Sequence, residues 1–164
     1  MSLTEVSDLQ PIPESGDDAS GTLRHGIQIG SMNWLIPEGM RSELIPVPSS
    51  ISSLPGAAPW FLGLINHRGE VVPVYHIAAW LSHDQSSLVT PKWILLLDKH
   101  PNTVGILTDH YPAALHPTEA VETPQGLPDA LSQSITQTYQ IGDAKWLSVD
   151  VVNLFSTLKN TMIN

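Results

Sequence analysis

Two groups of histidine and carboxylate side chains have the chemistry to bind a metal or exchange protons. They are His76, His83 and Asp84, and Asp109, His110 and His116. Neither group has the spacing of an HExxH motif, which places two histidines on one face of a helix. Pro112 also separates His110 from His116 in a stretch typical of a loop. The sequence therefore predicts no metal site, and we interpret these histidines as surface and turn residues.

Motifs for nucleophilic or cofactor chemistry are absent from the sequence. It contains no Gly-x-Ser-x-Gly elbow, no glycine-rich phosphate loop followed by lysine, no Gly-x-Gly-x-x-Gly fingerprint and no cysteine. A phosphate-accepting histidine would need a long exposed helix, and the 14 prolines of the chain break the pattern around its histidines. We therefore expect neither an enzyme nor a cofactor-binding protein.

Arg68 is the side chain best suited to bind a partner protein. Gly69 permits a positive φ, and Asn66 can hydrogen-bond the backbone of a turn. Arg68 would then project its planar set of donors from a rigid hairpin towards a carboxylate or a carbonyl. The alternative for this residue alone is a solvated arginine without a partner.

The charge balance argues against two classes of partner. Seven Lys and Arg residues against 16 Asp and Glu residues give a formal net charge of −9, which opposes binding to a phosphate backbone or an anionic lipid surface. We therefore expect no nucleic-acid partner. We also expect no insertion into a membrane, because no apolar run approaches the ~18–20 residues of a spanning helix.

The absence of cysteine and of a secretory signal predicts a cytoplasmic protein.

The first 21 residues differ in composition from the rest of the chain. They contain five acidic residues and no basic one, together with many Ser, Pro, Asp and Gly residues. Such a segment buries too little apolar surface to order itself, so we predict a flexible acidic tail at 1–21. Residues 22–160 are then expected to form one domain.

Short apolar runs alternate with turn signals from Leu23 onward, which is typical of β-barrels or sandwiches. We predict three hairpins. The first turns near Arg68-Gly69, the second pairs Trp93–Leu97 with Val104–Leu107, and the third turns at Gly142-Asp143, where glycine at the first central position suits a type II′ turn.

Two helices are predicted, each directly after a strand. Asp150 can cap the longer one, in which Val151, Leu154, Phe155 and Leu158 share one face. A shorter turn of helix is expected over His76–Leu81, with Ile77, Trp80 and Leu81 facing inward. The stretches Pro73–Leu81 and Leu147–Phe155 are faintly similar, which either two related half-barrels or the general chemistry of strand-to-helix junctions would explain.

The most informative stretch runs from Leu54 to Val74. A proline-containing loop leads to the apolar strand Phe-Leu-Gly-Leu-Ile, then to Asn-His-Arg-Gly and to Val-Val-Pro-Val. This order and spacing resemble the signature of CheW-like domains, and a weaker likeness extends over Leu23–Leu158. The resemblance implies a mainly β fold of two SH3-like five-stranded β-barrels on a shared core, with a groove between them and a C-terminal α-helix.

The resemblance also implies partners. CheW-like domains bind the cytoplasmic tip of a chemoreceptor and the regulatory domain of a CheA-type histidine kinase. The implied partner-binding residues are Asn66, Gly63, Arg68 and Gly69 in the signature, and Met40 and Leu44 in the loop after the first hairpin. For Phe61 we prefer core packing over a place at the lip of the groove.

We therefore predict a non-catalytic adaptor in bacterial chemosensory signalling, serving flagellar chemotaxis or type IV pilus motility. The alternative is a generic SH3-like peptide-binding module, which would need clustered exposed aromatic residues.

The sequence departs from the family pattern at several positions. His67 replaces an apolar residue between Asn and Arg, and Tyr75-His76 replaces an apolar residue followed by Asp. Leu35 stands where glycine is frequent, and Pro37 falls where a strand would continue. These differences bear on which receptor or kinase is recognised, and they predict a shorter first hairpin.

Overall fold

The computed structural model describes residues 22–82 and 92–162 of the chain, so the predicted tail at 1–21 lies outside the described residues. The strands are β1 Arg24–Ile29, β2 Met32–Leu35, β3 Ser42–Pro46, β4 Phe61–His67, β5 Glu70–Tyr75, β6 Trp93–Leu97, β7 Val104–Thr108, β8 Ala113–Leu115, β9 Glu119–Val121, β10 Ile135–Ile141 and β11 Ala144–Val149. The helices are α1 Ile77–Ser82, α2 Asp129–Ser132 and α3 Val151–Lys159.

The first barrel is built from both ends of the described chain. Its strands follow the order β8-β1-β2-β11-β10-β9. β8 and β9 lie at opposite edges of this sheet, yet only residues 116–118 separate them. The sheet therefore closes on itself through one strand that is interrupted at Pro117, which has no N–H to donate to a ladder.

The second barrel has the strand order β3-β6-β7-β5-β4. It closes in a similar way, because the chain after β3 crosses to β4 and forms an isolated bridge between Ser52 and Leu64. The predicted mainly β fold with two barrels and a C-terminal helix is thus confirmed. The first barrel shows six strand segments instead of five because one strand is broken in two.

The first half of the chain, β1 to α1, and the second half, β6 to α3, exchange hairpins between the two barrels. The β1–β2 hairpin precedes the second barrel in the chain but pairs with β8 and β11 of the first, and β6–β7 pairs with β3 and β5. The β4–β5 and β10–β11 ladders also match residue for residue. Phe61 pairs with Tyr75 before a bulge, as Ile135 pairs with Val149. The faint sequence similarity noted above lies on these equivalent strands and on the helices that follow them.

A continuous apolar cluster holds the two barrels together. It contains Ile27 and Trp34 from the first barrel, Tyr75 and Leu95 from the second, and the buried face of α3. A smaller cluster that includes Ile65, Val74 and Leu96 fills the inside of the second barrel. Since strands from both halves contribute to the larger cluster, the geometry between the barrels is fixed by packing.

The helices are placed as predicted, with one difference in burial. All four predicted residues of α3 are buried, and the Asp150 carboxylate accepts a hydrogen bond from the Asn153 N–H at 3.1 Å. In α1, Ile77 is buried as expected, but Ala78 and Ala79 are buried while Trp80 and Leu81 are half-buried at the edge of the larger cluster. The alanines are small enough to let the helix pack closely on the strands.

The segment Met40–Leu44, expected as a loop, is partly a strand. Ser42, Glu43 and Leu44 belong to β3, where Leu44 pairs with Leu95 of β6. The first hairpin is short, as the proline predicted. β2 ends at Leu35, and the Ile36 N–H still reaches the carbonyl of His25 at 2.8 Å.

Candidate functional site

The turn between β4 and β5 has the backbone that a tight hairpin requires. Arg68 and Gly69 both have positive φ, 53° and 81°, which is the pattern of a type I′ turn. The side chain of Asn66 accepts a hydrogen bond from the Gly69 N–H at 3.1 Å. This bond and the ladder below it fix the point from which the Arg68 side chain leaves the barrel.

Arg68 is paired within the chain, with a residue that the sequence did not single out. Its two terminal nitrogens lie 2.9 and 3.4 Å from the two carboxylate oxygens of Glu43 on β3. The Arg68 side chain is 66% exposed and that of Glu43 is 31% exposed, so the pair is solvated and worth little to stability. The contact nevertheless holds the guanidinium in a defined orientation across the seam between β3 and β4.

His67 points into the open end of the second barrel. Its Nε2 atom is buried, lies 3.4 Å from a carboxylate oxygen of Glu43, and has no hydrogen-bond partner of good geometry among the described residues. The CheW-like signature that this stretch resembles has an apolar residue here. Histidine at this position therefore brings a polar ring close to the Glu43–Arg68 pair.

The open end of the second barrel forms a charged cup of about 140 Å³. Leu96 lies at its base, and the charged residues around it are Arg41, Arg68, Lys99, Glu43, Glu70 and Asp98. Cations and carboxylates are mixed in this lining, and the Nδ1 atom of His100 lies 3.5 Å from a carboxylate oxygen of Glu70. Such a surface fits a partner that also presents mixed charges.

The other predicted partner-binding residues lie deeper than Arg68. A Cβ added at Gly63 would lie 2.2 Å from the carbonyl oxygen of Ser52, and the φ of Gly63 is 136°. Met40 and Leu44 are half-buried and pack against the larger apolar cluster. The structure thus places Asn66, Arg68 and Gly69 at one exposed turn, whereas Gly63 lets the segment after β3 cross β4 closely.

An apolar groove of about 600 Å³ runs between the second barrel and α3. Phe61 and Tyr75 form its floor with Phe155, and their rings contact one another at centroid distances of 5.3 and 4.7 Å. Phe61 is 5% exposed, so it belongs to the core as preferred and also lines the groove. Val152, at the rim on α3, is 61% exposed. Burial raises the pKa of the Tyr75 phenol, which keeps that ring neutral at the floor.

Tryptophans are not clustered on the described surface. Trp34 is buried and the other four are half-buried. The Trp93 ring does contact the Tyr111 ring, at a centroid distance of 5.3 Å and an interplanar angle of 40°, and Tyr111 is 69% exposed. This pair is the feature that a peptide-binding module would use.

The two histidine groups are not brought together as metal sites within residues 22–82 and 92–162, where no set of three His, Asp or Glu side chains has a suitable arrangement. The Nδ1 atom of His76 accepts the Ala79 N–H at 3.1 Å and so caps α1. His110 lies 3.0 Å from its neighbour Asp109. His83 and Asp84 lie outside the described residues.

In the part of the chain that the structure describes, no helix is long and apolar enough to cross a membrane.

Comparison with known families identifies the fold. The CheW-like domain family matches residues 26–159, which include both barrels and the three helices of the described residues. The chain belongs to the CheW-like domain family. This CheW-like domain is 26% identical over 110 residues to Protein PilI of Pseudomonas aeruginosa, a match that covers 60% of the chain and 61% of PilI. It therefore spans about three fifths of that relative's length.

A solved structure shares the fold of this CheW-like domain. The scaffolding protein TtCheW from Thermoanaerobacter tengcongensis aligns with a TM-score of 0.64 over 83% of this chain and 93% of TtCheW, at 14% sequence identity. At this low identity the likeness concerns the fold alone. The contact between Glu43 and Arg68 had no signal in the sequence, because the two residues are 25 positions apart.

Proposed function

We propose that this CheW-like domain is a non-catalytic cytoplasmic adaptor that joins a chemoreceptor to a CheA-type histidine kinase, in flagellar chemotaxis or type IV pilus motility. The observation that carries the proposal is the presence of two surfaces of different chemistry on one packed core. One is the apolar groove beside α3, and the other is the exposed turn at Arg68. An adaptor that positions two partners needs such surfaces in a fixed relation.

The apolar groove suits the helical tip of a receptor. Helices bind in grooves through apolar residues at i, i+3, i+4 and i+7, and the floor of Phe61, Tyr75 and Phe155 offers a continuous apolar surface to such a stripe. Lys159, at the end of α3, also lines the groove and can meet an acidic residue at the edge of the helix.

The Arg68 turn suits the regulatory domain of the kinase, which in this family is a related barrel. Arginine recognises a carboxylate through two parallel hydrogen bonds. Glu43 already makes this contact inside the chain, so a partner carboxylate would replace Glu43 or share the guanidinium with it. The contact is at an exposed rim, where charge governs association rate and specificity.

Titration of the purified chain against the two partners tests the proposal. The probes are the regulatory domain of a CheA-type kinase and a receptor tip fragment from the same organism. We expect Arg68→Glu to weaken kinase binding at least about tenfold, because it replaces attraction by repulsion, and to leave receptor binding unchanged. We expect the reverse for Val152→Glu, which places a charge at the rim of the groove.

Matched controls separate site effects from general charge effects. Lys145→Glu makes the same charge reversal at an exposed position of β11 in the first barrel, and Leu23→Glu adds a charge at an exposed apolar residue outside the groove. Both controls should bind as the wild type does. Loss of the cooperative thermal transition in the Arg68 variant would count against a pure binding role.

A peptide-binding module is the second candidate, and the Trp93–Tyr111 pair is the observation that favours it. Aromatic surfaces of this kind bind proline-rich peptides in SH3 domains. Folded protein that binds neither the kinase domain nor the receptor fragment, and that binds a proline-rich peptide library through Tyr111, would establish this function instead.

A further inference from the structure

The loop between β6 and β7 separates the two proposed binding surfaces and belongs to both. Asp98 and Thr103, the first and last residues of this loop, line the charged cup and also the apolar groove. Pro101 and Asn102 face the groove, whereas Lys99 and His100 face the cup. A ligand in either surface therefore contacts the same six-residue loop from a different side.

Both ends of the loop are held by hydrogen bonds. The Asp98 N–H donates to the carbonyl oxygen of Arg41 at 2.9 Å, and the Asp98 side chain accepts the Lys99 N–H at 2.8 Å. The hydroxyl of Thr103 donates to the Asp98 carbonyl at 3.3 Å. Asp98 adopts a φ of 74°, a left-handed conformation that Asp and Asn tolerate better than other side chains.

The loop is also tied to the segments around the Arg68 turn. Arg41, which accepts the Asp98 N–H, immediately precedes β3 and lies two residues before Glu43. His100 lies 3.5 Å from Glu70, which follows the Arg68-Gly69 turn. The loop is therefore linked to the segment just before Glu43 and to the segment just after Arg68.

The middle of the loop is exposed. Lys99, His100, Pro101 and Asn102 are all exposed to solvent, and the Asn102 N–H donates to the Lys99 carbonyl at 2.8 Å. Contact with a partner removes conformational freedom from such residues. A second partner that contacts the same loop then has a smaller entropic cost of ordering it. Each partner therefore increases the affinity for the other.

We propose that the Asp98–Thr103 loop couples the two surfaces, so that a receptor helix in the apolar groove tightens binding of the kinase regulatory domain at the Arg68 turn. This inference rests on the proposed function for the two ligands. By thermodynamic linkage, the kinase domain tightens receptor binding by the same factor.

The test measures the dissociation constant of the kinase regulatory domain with and without a saturating receptor tip fragment. We expect about five- to tenfold tighter binding in the presence of the fragment, at the lower end of the usual range of coupling between sites. Asp98→Gly keeps the positive φ but removes the carboxylate that holds the Lys99 N–H. A partner that orders one side of the loop then no longer orders the other side, so the factor should fall to about one. Asp98→Asn keeps both the conformation and the side-chain oxygen, and should retain the coupling.

A second variant keeps the test decisive if glycine destabilises the fold. Thr103→Val removes the hydroxyl that donates to Asp98 with little change in shape, and should also reduce the coupling. Two results would overturn this inference alone. One is a wild type that binds each partner separately but shows no tightening when both are present, and the other is full coupling in both loop variants. Absence of binary binding by the folded wild type would instead overturn the proposed function and, with it, the coupling.

Discussion

Gly63 and Gly69 lie in the same hairpin but are required for different reasons. Both have positive φ, yet a Cβ at Gly69 would meet nothing within 4 Å, whereas a Cβ at Gly63 would collide with the backbone of Ser52 and Ser53. We expect Gly69→Ala to cost about 1–2 kcal/mol in the free energy of unfolding from its conformation alone. Gly63→Ala should cost about 3 kcal/mol or more, because backbone strain and overpacking add.

Urea denaturation of the two alanine variants measures this difference. Gly69→Ala serves as the control for backbone conformation, since it lacks the steric contact. Equal losses of unfolding free energy in the two variants would contradict this prediction. They would mean that the segment after β3 can move away from β4 at Ser52 with little cost in free energy.

At the scale of residues, the sequence predicted local interactions and missed distant ones. The bond from Asn66 to Gly69 spans three residues and follows from turn chemistry. The contact of Arg68 with Glu43 spans the seam of a closed barrel. No local pattern determines which strands meet at that seam, so Glu43 could not be identified from the sequence.

At the scale of elements, His76 and Asp150 occupy equivalent positions at the start of α1 and α3. Each accepts the N–H of the residue three positions later. Only an unprotonated Nδ1 can accept this bond, and burial, partly offset by a backbone hydrogen bond, lowers the pKa of His76 below its ordinary value. The folded protein therefore binds this proton less readily than the unfolded chain does.

A pH dependence of stability follows from this shift. The contribution of His76 is fully present above the unfolded pKa of about 6.5 and is lost as the pH falls from there towards the folded pKa, because the unfolded chain takes up the proton first. We expect His76→Asn, which can cap α1 without titrating, to remove this part of the pH dependence. The measurement is the urea midpoint between pH 7.5 and 5.0 for both proteins. Parallel curves would show that His76 does not carry the effect.

The hairpins and α3 were predictable from sequence, whereas two short strands were not. The turns at Arg68-Gly69 and Gly142-Asp143 have glycine where a positive φ is needed, and α3 has a cap and one apolar face. β8 and β9 are three residues long and largely exposed. Their hydrogen bonds go to β1 and β10, so tertiary pairing, and not local propensity, makes them strands.

At the scale of the whole molecule, the exchange of hairpins between the two halves of the chain makes the two barrels one folding unit. The segment 22–82 contains β3, β4 and β5 of the second barrel, but the central strands β6 and β7 come from the later part of the chain. In the same way, the later part of the chain contains β8–β11 but lacks β1 and β2. These two strands lie between β8 and β11 in the first barrel. Neither half holds a complete sheet, and each would expose a long unpaired edge.

This interdependence predicts the behaviour of fragments. A chain cut between Ser82 and Lys92 should give two pieces that are each unfolded alone, because each lacks the strands that bury its apolar face. Mixed at equal concentrations, they should associate into one unit with a single cooperative thermal transition, since the shared cluster around Trp34, Tyr75 and Leu95 reforms only when both are present. Circular dichroism of each piece and of the mixture measures this.

The matched control is the intact chain at the same concentration. A cooperative transition in either piece alone would show that a barrel can close without the exchanged hairpin, and the fixed relation between the groove and the Arg68 turn would then need another source.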